Sequence, residues 1–284
     1  SEGRAMNKLL AANFSRLLKN KVFWGCCIFA FCYGVFMQVM NYLTTTASGE
    51  VPQIDDLFFS FSIWTGILLS AFISLFLGTE YSDGTIRNKL VIGHRRRDIY
   101  LSNLIVCIMS GAVMCAFNLI ASFTVGIPLI GIFDAGAELV FATCIGILVA
   151  AAAFASICTM ISMLCQNKAA AAVLNILFIF FLLFVSLYIR AWLEAPEMIT
   201  TQSIVMDEKG GSSITTEEIP NPVYLRGTAR KTCEFISDFL PTGQTVQFTN
   251  MEAENVPLLC TYSVIITAAA AGAGTLVFKK KDIK

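Results

Sequence analysis

Six long apolar runs constrain this chain more than any other feature. They cover residues 22–43, 57–79, 99–125, 139–164, 169–189 and 256–278, and none carries an Asp, Glu, Lys or Arg. One helical crossing of a bilayer takes about 20 apolar residues, so each run is long enough to span. Charged residues make up only 14% of the chain, against roughly 25% in soluble domains. A soluble core has no need of so little charge. In the third run, Gly126, Pro128 and Gly131 predict a bend or an early end.

Orientation follows from the basic residues of the short connections. With the N-terminus inside, the cytoplasmic segments are 1–21, 80–98, 165–168 and 279–284. They hold fifteen of the twenty Lys and Arg residues and five of the twenty acids. Both termini are therefore expected in the cytoplasm. The expected fold is an all-α membrane protein, one transmembrane domain over residues 6–284. It has six spans, an N-terminal interfacial helix, a cytoplasmic loop at 80–98 and an extracellular loop at 190–255. The residues before Met6, SEGRA, read as an expression scar. The first span reads as a retained helix rather than a cleaved leader.

Residues 6–21 form a basic amphipathic segment. Leu10, Phe14, Leu17 and Leu18 share one face at helical spacing, with Lys8, Ser15, Arg16 and Lys19 around the rest. Such a helix rests in the membrane interface, its basic residues toward anionic headgroups. In the outer loop, 194–221 is polar, carries Gly210-Gly211-Ser212-Ser213 and reads as irregular. Phe235, Ile236, Phe239 and Leu240 predict a short helix that Pro241 stops, followed by a Thr242-Gly243 turn. That helix is expected on the outer membrane surface or as a cap on the bundle.

The motifs that are missing narrow the function. There is no GxxxxGK[ST] phosphate loop, no HExxH and no GxSxG. A single histidine, His94, rules out a metal site built from several. No catalytic, cofactor-binding or metal residues are expected. Zero formal net charge gives no field that would favour nucleic acid. Nine of the ten cysteines lie in or at the ends of apolar runs and read as small packing residues. The spans hold no ionisable group for coupling to an ion gradient. Their polar residues Gln38, Asn41, Asn118 and Asn175 read as bonds between helices.

The compact charged stretch 78–103, GTEYSDGTIRNKLVIGHRRRDIYLSN, stands out between two apolar runs. Asp83 is a candidate N-cap. Thr85 to Ile92 makes about two turns, and Gly93 suits the C-terminal stop. Ile86 and Leu90 share a face, with Arg87 and Lys89 directed elsewhere. Two turns are too short to be stable alone. Arg95-Arg96-Arg97 fits an ordinary positive flank. An apolar Ile/Leu/Val face on a glycine-bounded helix instead calls for a protein partner.

Glu80-Tyr81, Gly84-Thr85-Ile86-Arg87-Asn88-Lys89-Leu90, Gly93, Arg97 and Ile99-Tyr100-Leu101-Ser102 resemble the first cytoplasmic loop of ABC-2 type transporter permeases. The six spans, the basic N-terminal helix, the larger segment before the last span and Pro241-Thr242-Gly243-Gln244 are also similar to that family. The motif departs from it at His94 and at Asn103, where Lys is common. The resemblance implies the membrane subunit of an exporter in the cytoplasmic membrane of a bacterium. Two copies, or one with a paralogue, would pair with two separate ATPase subunits that bind ATP and Mg. The chain itself would carry no cofactor.

The same resemblance makes 84–92 a coupling helix seated in a groove of the ATPase. Glu80, Tyr81, Gly84, Thr85, Ile86, Arg87, Lys89, Leu90, Val91 and Gly93 would form that site. Ile86, Leu90 and Val91 would pack there, and Arg87 and Lys89 would pair charges. Glu80 would tie the hairpin to the N-terminal helix through Arg16 or Lys19.

Aromatic stripes mark a candidate substrate path: Phe61, Trp64, Phe72 and Phe76 in the second span, and Phe178, Phe181 and Phe184 in the fifth. Packing or lipid contact explains them equally. An uncharged path suits hydrophobic or amphipathic cargo, such as a peptide, and suits a bare ion poorly. A different class of function stays open: a sensor or immunity subunit that does not transport and binds a peptide through its outer loop.

Overall fold

Packing between apolar helices in lipid cannot rely on the hydrophobic effect, so close backbone approach and polar bonds must hold the bundle. The computed structural model describes residues 2–206 and 212–281. Helix α1 (Glu2–Leu18) precedes α2 (Lys21–Ala47), α3 (Phe61–Ser82), the short α4 (Thr85–Val91), α5 (Arg96–Ile130), α6 (Ala137–Cys165) and α7 (Lys168–Leu193). A hairpin of β1 (Met198–Met206) and β2 (Ser212–Pro220) follows, then α8 (Gly227–Phe239), α9 (Pro241–Thr249) and α10 (Val256–Lys280). Among the described residues, six helices are long and apolar enough to cross a membrane: α2, α3, α5, α6, α7 and α10. Asparagine side chains cap three of these: Asn20 on α2, Asn167 on α7 and Asn255 on α10.

Helix α3 is the central post and packs against α2, α5, α6, α7 and α9. Asn175 of α7 donates to Ser74 Oγ of α3 and Ser162 Oγ of α6, both at 2.8 Å, joining three helices with one amide. Asn118 of α5 donates to the Ala30 carbonyl of α2 at 3.1 Å, where Gly34 leaves no room for a Cβ. Asn41 instead reaches the Gln53 carbonyl just beyond its own helix. Helices α5 and α10 nearly touch at Gly274. A Cβ there would lie 1.9 Å from the Tyr100 hydroxyl, which donates to the Ala270 carbonyl.

Several expectations change. Helix α5 runs through Gly126 and Pro128 and stops only at Gly131, which has φ 127°. Pro128 falls in the last turn, where one lost hydrogen bond matters little, and Gly126 lets Gln38 and Ile54 approach. The 194–221 segment is not irregular: Met198 pairs with Pro220 and Met206 with Ser212 in an antiparallel ladder. The β-branched residues on either side of the glycines carry it; Gly210 and Gly211 themselves lie outside the described residues. Pro241 ends α8 but also opens α9, so Pro241-Thr242-Gly243 is a first helical turn rather than a loop.

Helix α9 is almost wholly buried against α3, α6 and α7. Ser62 Oγ donates to the Thr245 carbonyl at 2.8 Å, and Ser263 Oγ donates to Gln244 Oε1 at 2.6 Å. Gly243 lies so close to the Ser237 carbonyl that a Cβ would come within 2.1 Å.

Two glycines of α10 give opposite expectations. Gly274→Ala should lower unfolding stability by about 1–3 kcal/mol through overpacking on Tyr100. Nothing lies within 4 Å of a Cβ at Gly272, so Gly272→Ala should be neutral or gain up to about 1 kcal/mol from helix propensity. Denaturant unfolding of the two variants in detergent measures both.

Candidate functional site

The charged stretch forms a tight reversal at one end of the bundle. Helix α3 ends at Ser82, and the Gly84 N–H bonds back to the Tyr81 carbonyl. Gly84 then takes φ 66°, which only glycine adopts at little cost, and α4 starts. Asp83 is therefore not the N-cap of α4: it closes α3, and no side chain caps α4. Gly93 at φ 96° ends the segment, with its N–H on the Leu90 carbonyl and the His94 N–H on the Lys89 carbonyl.

Glu80, in the last turn of α3, is 1% exposed. Its Oε1 pairs with Arg16 of α1 and with Lys89 Nζ of α4, and its Oε2 accepts from Asn103 Nδ2 of α5 at 2.8 Å. Lys89 Nζ also donates to Asn13 Oδ1 of α1 at 2.9 Å, and Asn13 Nδ2 donates to Asn103 Oδ1 at 2.8 Å and Ser102 Oγ at 3.1 Å. The Arg16 guanidinium lies 3.9 Å from the centre of the Phe76 ring. One carboxylate thus joins four helices. Tyr81 donates to the Met163 carbonyl at 2.6 Å and ties the same turn to α6. Burial lowers the Lys89 pKa below the ordinary lysine value, Glu80 opposes that shift, and Arg16 adds to it.

This geometry rearranges the sequence-predicted site. Ile86 is buried and Leu90 half-buried, both within the chain's own core, and Lys89 turns inward to Glu80. None of the three is a free docking side chain, because the protein itself already supplies the partner that α4 needs. The exposed apolar residues are Val91, at 80%, and Ile92, at 78%. Arg87 and Gly93 are also exposed, and Thr85 is half-exposed. On α1 the buried line is Leu9, Asn13 and Leu17, while Leu18 faces out. Asn13, Ser102 and Asn103 join the site although the sequence pattern alone does not mark them as part of it. The available signal was an asparagine at position 13, between Leu9 and Leu17 at i±4.

The aromatic stripe of α3 divides too. Phe61, Phe72 and Phe76 are buried. Phe72 stacks on Phe76 at 5.4 Å and meets Phe23 of α2 at 5.9 Å, so these rings pack within the chain. A central helix has little free surface. Trp64, Phe178, Phe181 and Phe184 are exposed.

A family model described as ABC-2 family transporter protein matches residues 8–283. The chain belongs to the ABC-2 transporter family. It is thus a multi-pass membrane protein and a permease component of an ABC transporter, a class whose members associate with an ABC ATPase. Among curated proteins none matches the chain.

Because Glu80 is a buried carboxylate paired with two part-buried cations, Glu80→Gln should cost about 3–5 kcal/mol of unfolding stability. Adding Lys89→Met should recover part of that loss. In Glu80→Gln the opposing carboxylate is gone, so Lys89 has a folded pKa further below its unfolded value. The unfolded chain then binds more protons in the window between the two values, and stability should rise with pH there. Unfolding curves at neutral and alkaline pH test both outcomes.

Proposed function

We propose that this chain is the permease subunit of an ATP-driven exporter in the cytoplasmic membrane of a bacterium. It would move a hydrophobic or amphipathic cargo, such as a peptide, outward. ATP and Mg would be held by a separate ATPase subunit, and two copies of the permease would form the complex. The observation that carries this reading is the clamped α4: a two-turn helix fixed by a buried carboxylate, presenting Arg87, Val91 and Ile92 outward. A helix held this firmly can pass a push from a docked subunit to α3 and α5 without yielding. The 15-to-5 excess of basic over acidic residues on that side supports placing it in the cytoplasm.

The candidate path is reduced to the exposed aromatics. Trp64 on α3 and Phe178, Phe181 and Phe184 on α7 sit on neighbouring helices, and a second copy laid against them would enclose an apolar route.

A second reading, a sensor or immunity subunit that does not transport, draws on the opposite end of the bundle. There Arg190, Arg230, Glu234, Asp238, Glu252 and Glu254 border a cleft of about 560 Å³. Burial raises the Asp238 pKa, the Gln247 hydrogen bond opposes it, and Glu234 and Glu254 add to it.

Purification in gentle detergent from the native host, with mass spectrometry, separates the two. An exporter subunit should carry a P-loop ATPase at near one-to-one ratio. Val91→Asp with Ile92→Asp should abolish that association while the protein elutes and unfolds like wild type. Ile86→Asp, by contrast, should unfold the hairpin. A wild-type chain that purifies alone, even after crosslinking at Arg87, would sink the exporter reading and favour the sensor.

A further inference from the structure

Arg96 bonds to the end of α10 and not to the Glu80 cluster. It lies at the mouth of a different feature, a groove of about 950 Å³ between the start of α5 and the end of α10. Arg95, Arg96, Arg97 and Lys279 form its rim. Below the rim the walls change character: Leu101 on α5 and Ala271, Gly272, Thr275 and Leu276 on α10. The α10 residues from 271 to 279 follow one helix face over about 12 Å. No carboxylate lines the groove among the described residues.

The groove is held open by the contacts beside it. Gly274 and Tyr100 bring the two helices together, and Arg96 Nη1 donates to the Phe278 and Lys281 carbonyls, closing the end of α10. With Arg96 engaged there, Arg97 and Lys279 remain as exposed cations of the rim. Gly272 has nothing within 4 Å of where its Cβ would be, so the floor of the groove is space and not a packed seam.

We infer that this groove binds an anionic phospholipid. The phosphate would sit between Arg97 and Lys279, and an acyl chain would lie along Leu101, Gly272 and Leu276. The chemistry is two-part. A basic rim at the level of the headgroups attracts anionic lipid, and an uncharged wall beneath it accepts a hydrocarbon chain but offers nothing to a soluble anion. The same two-part character argues against a protein partner, since the walls lie within a membrane-spanning helix. The leaflet follows from the orientation proposed above and is the cytoplasmic one. The binding itself does not depend on that orientation or on any ATPase.

The test uses the full chain in nanodiscs made of equal parts phosphatidylcholine and phosphatidylglycerol. Native mass spectrometry after transfer to mild detergent reads the retained lipid. Wild type should keep one phosphatidylglycerol per chain in preference to phosphatidylcholine. Arg97→Gln with Lys279→Gln, which leaves Arg96 on its carbonyls, should cut that retention by roughly tenfold. Gly272→Phe should do the same with every charge in place, and Gly272→Leu serves if the larger ring disturbs folding. Equal retention of both lipids by wild type would overturn the proposal. Full retention in Gly272→Phe and Gly272→Leu would also overturn it, leaving only surface charge attraction. Full retention in the double glutamine variant would remove the rim from the site and overturn it as well. ATPase association, measured separately, reports on the exporter reading and not on this groove.

Discussion

A carboxylate buried at the end of a bundle that, among the described residues, buries no other Asp, Glu, Lys or Arg dictates what its neighbours must be. Glu80 at 1% exposure cannot stay charged without compensation. Arg16, Lys89 and Asn103 supply it from three other helices. The positions of α1, α4 and α5 relative to α3 are therefore linked through one side chain. Remove that link and α4 has two turns, no side-chain cap and one buried apolar residue, too little to hold it in place. The N-terminal helix also has a fixed inner face instead of simply lying on the membrane. Leu9, Asn13 and Leu17 point into the protein, and Asn13 connects Lys89 to Ser102 and Asn103.

Elsewhere the bundle follows a different rule. With lipid as apolar as the side chains, the helices join where backbones approach closely and amides reach across. Gly34 with Asn118, Ser74 with Asn175, and Gly274 with Tyr100 are three such joints. The far end is closed by α9, a half-helix whose hydroxyls and amide bond to α3, α7, α8 and α10. The Glu80 end rests on a buried charge cluster, while α9 at the far end is held by neutral hydrogen bonds.

The length and hydropathy of the six spans were legible because a membrane imposes both. The glycines that bound α4 were legible because a reversal needs positive φ at Gly84 and Gly93. Facing direction was not. On a seven-residue helix Ile86 and Val91 are both apolar, and only the position of α3 and α5 decides that Ile86 goes in and Val91 out. The facing of the α3 aromatic stripe was hard to read for a related reason. Periodicity places Phe61, Phe72 and Phe76 on one face of α3, yet it does not say whether lipid, a second chain or Phe23 will cover them. Pro241 misled because proline both stops one helix and starts another. Asn103, read as a departure from the family motif, turned out to bind Glu80 directly, and its neighbour Ser102 completes the Asn13 link.

Helix α5 is where these features meet. Its first two turns carry Ser102 and Asn103 toward Glu80, Tyr100 toward Gly274, and Arg97 and Leu101 toward the open groove. Side chains a residue or two apart on a helix face different ways, so adjacent residues serve separate surroundings with no conflict. The consequence is mechanical. A displacement of α4 transmitted through Lys89, Glu80 and Asn103 arrives at the same two turns that set the α5–α10 crossing. The close contact at Gly274 leaves no slack, so α10 must either follow or separate. Separation would break the Tyr100 bond to Ala270 and expose both groups to hydrocarbon, where an unmet hydrogen bond is costly. Following is the cheaper path. Helices α3, α5 and α10 are therefore expected to move as one body whenever α4 is displaced.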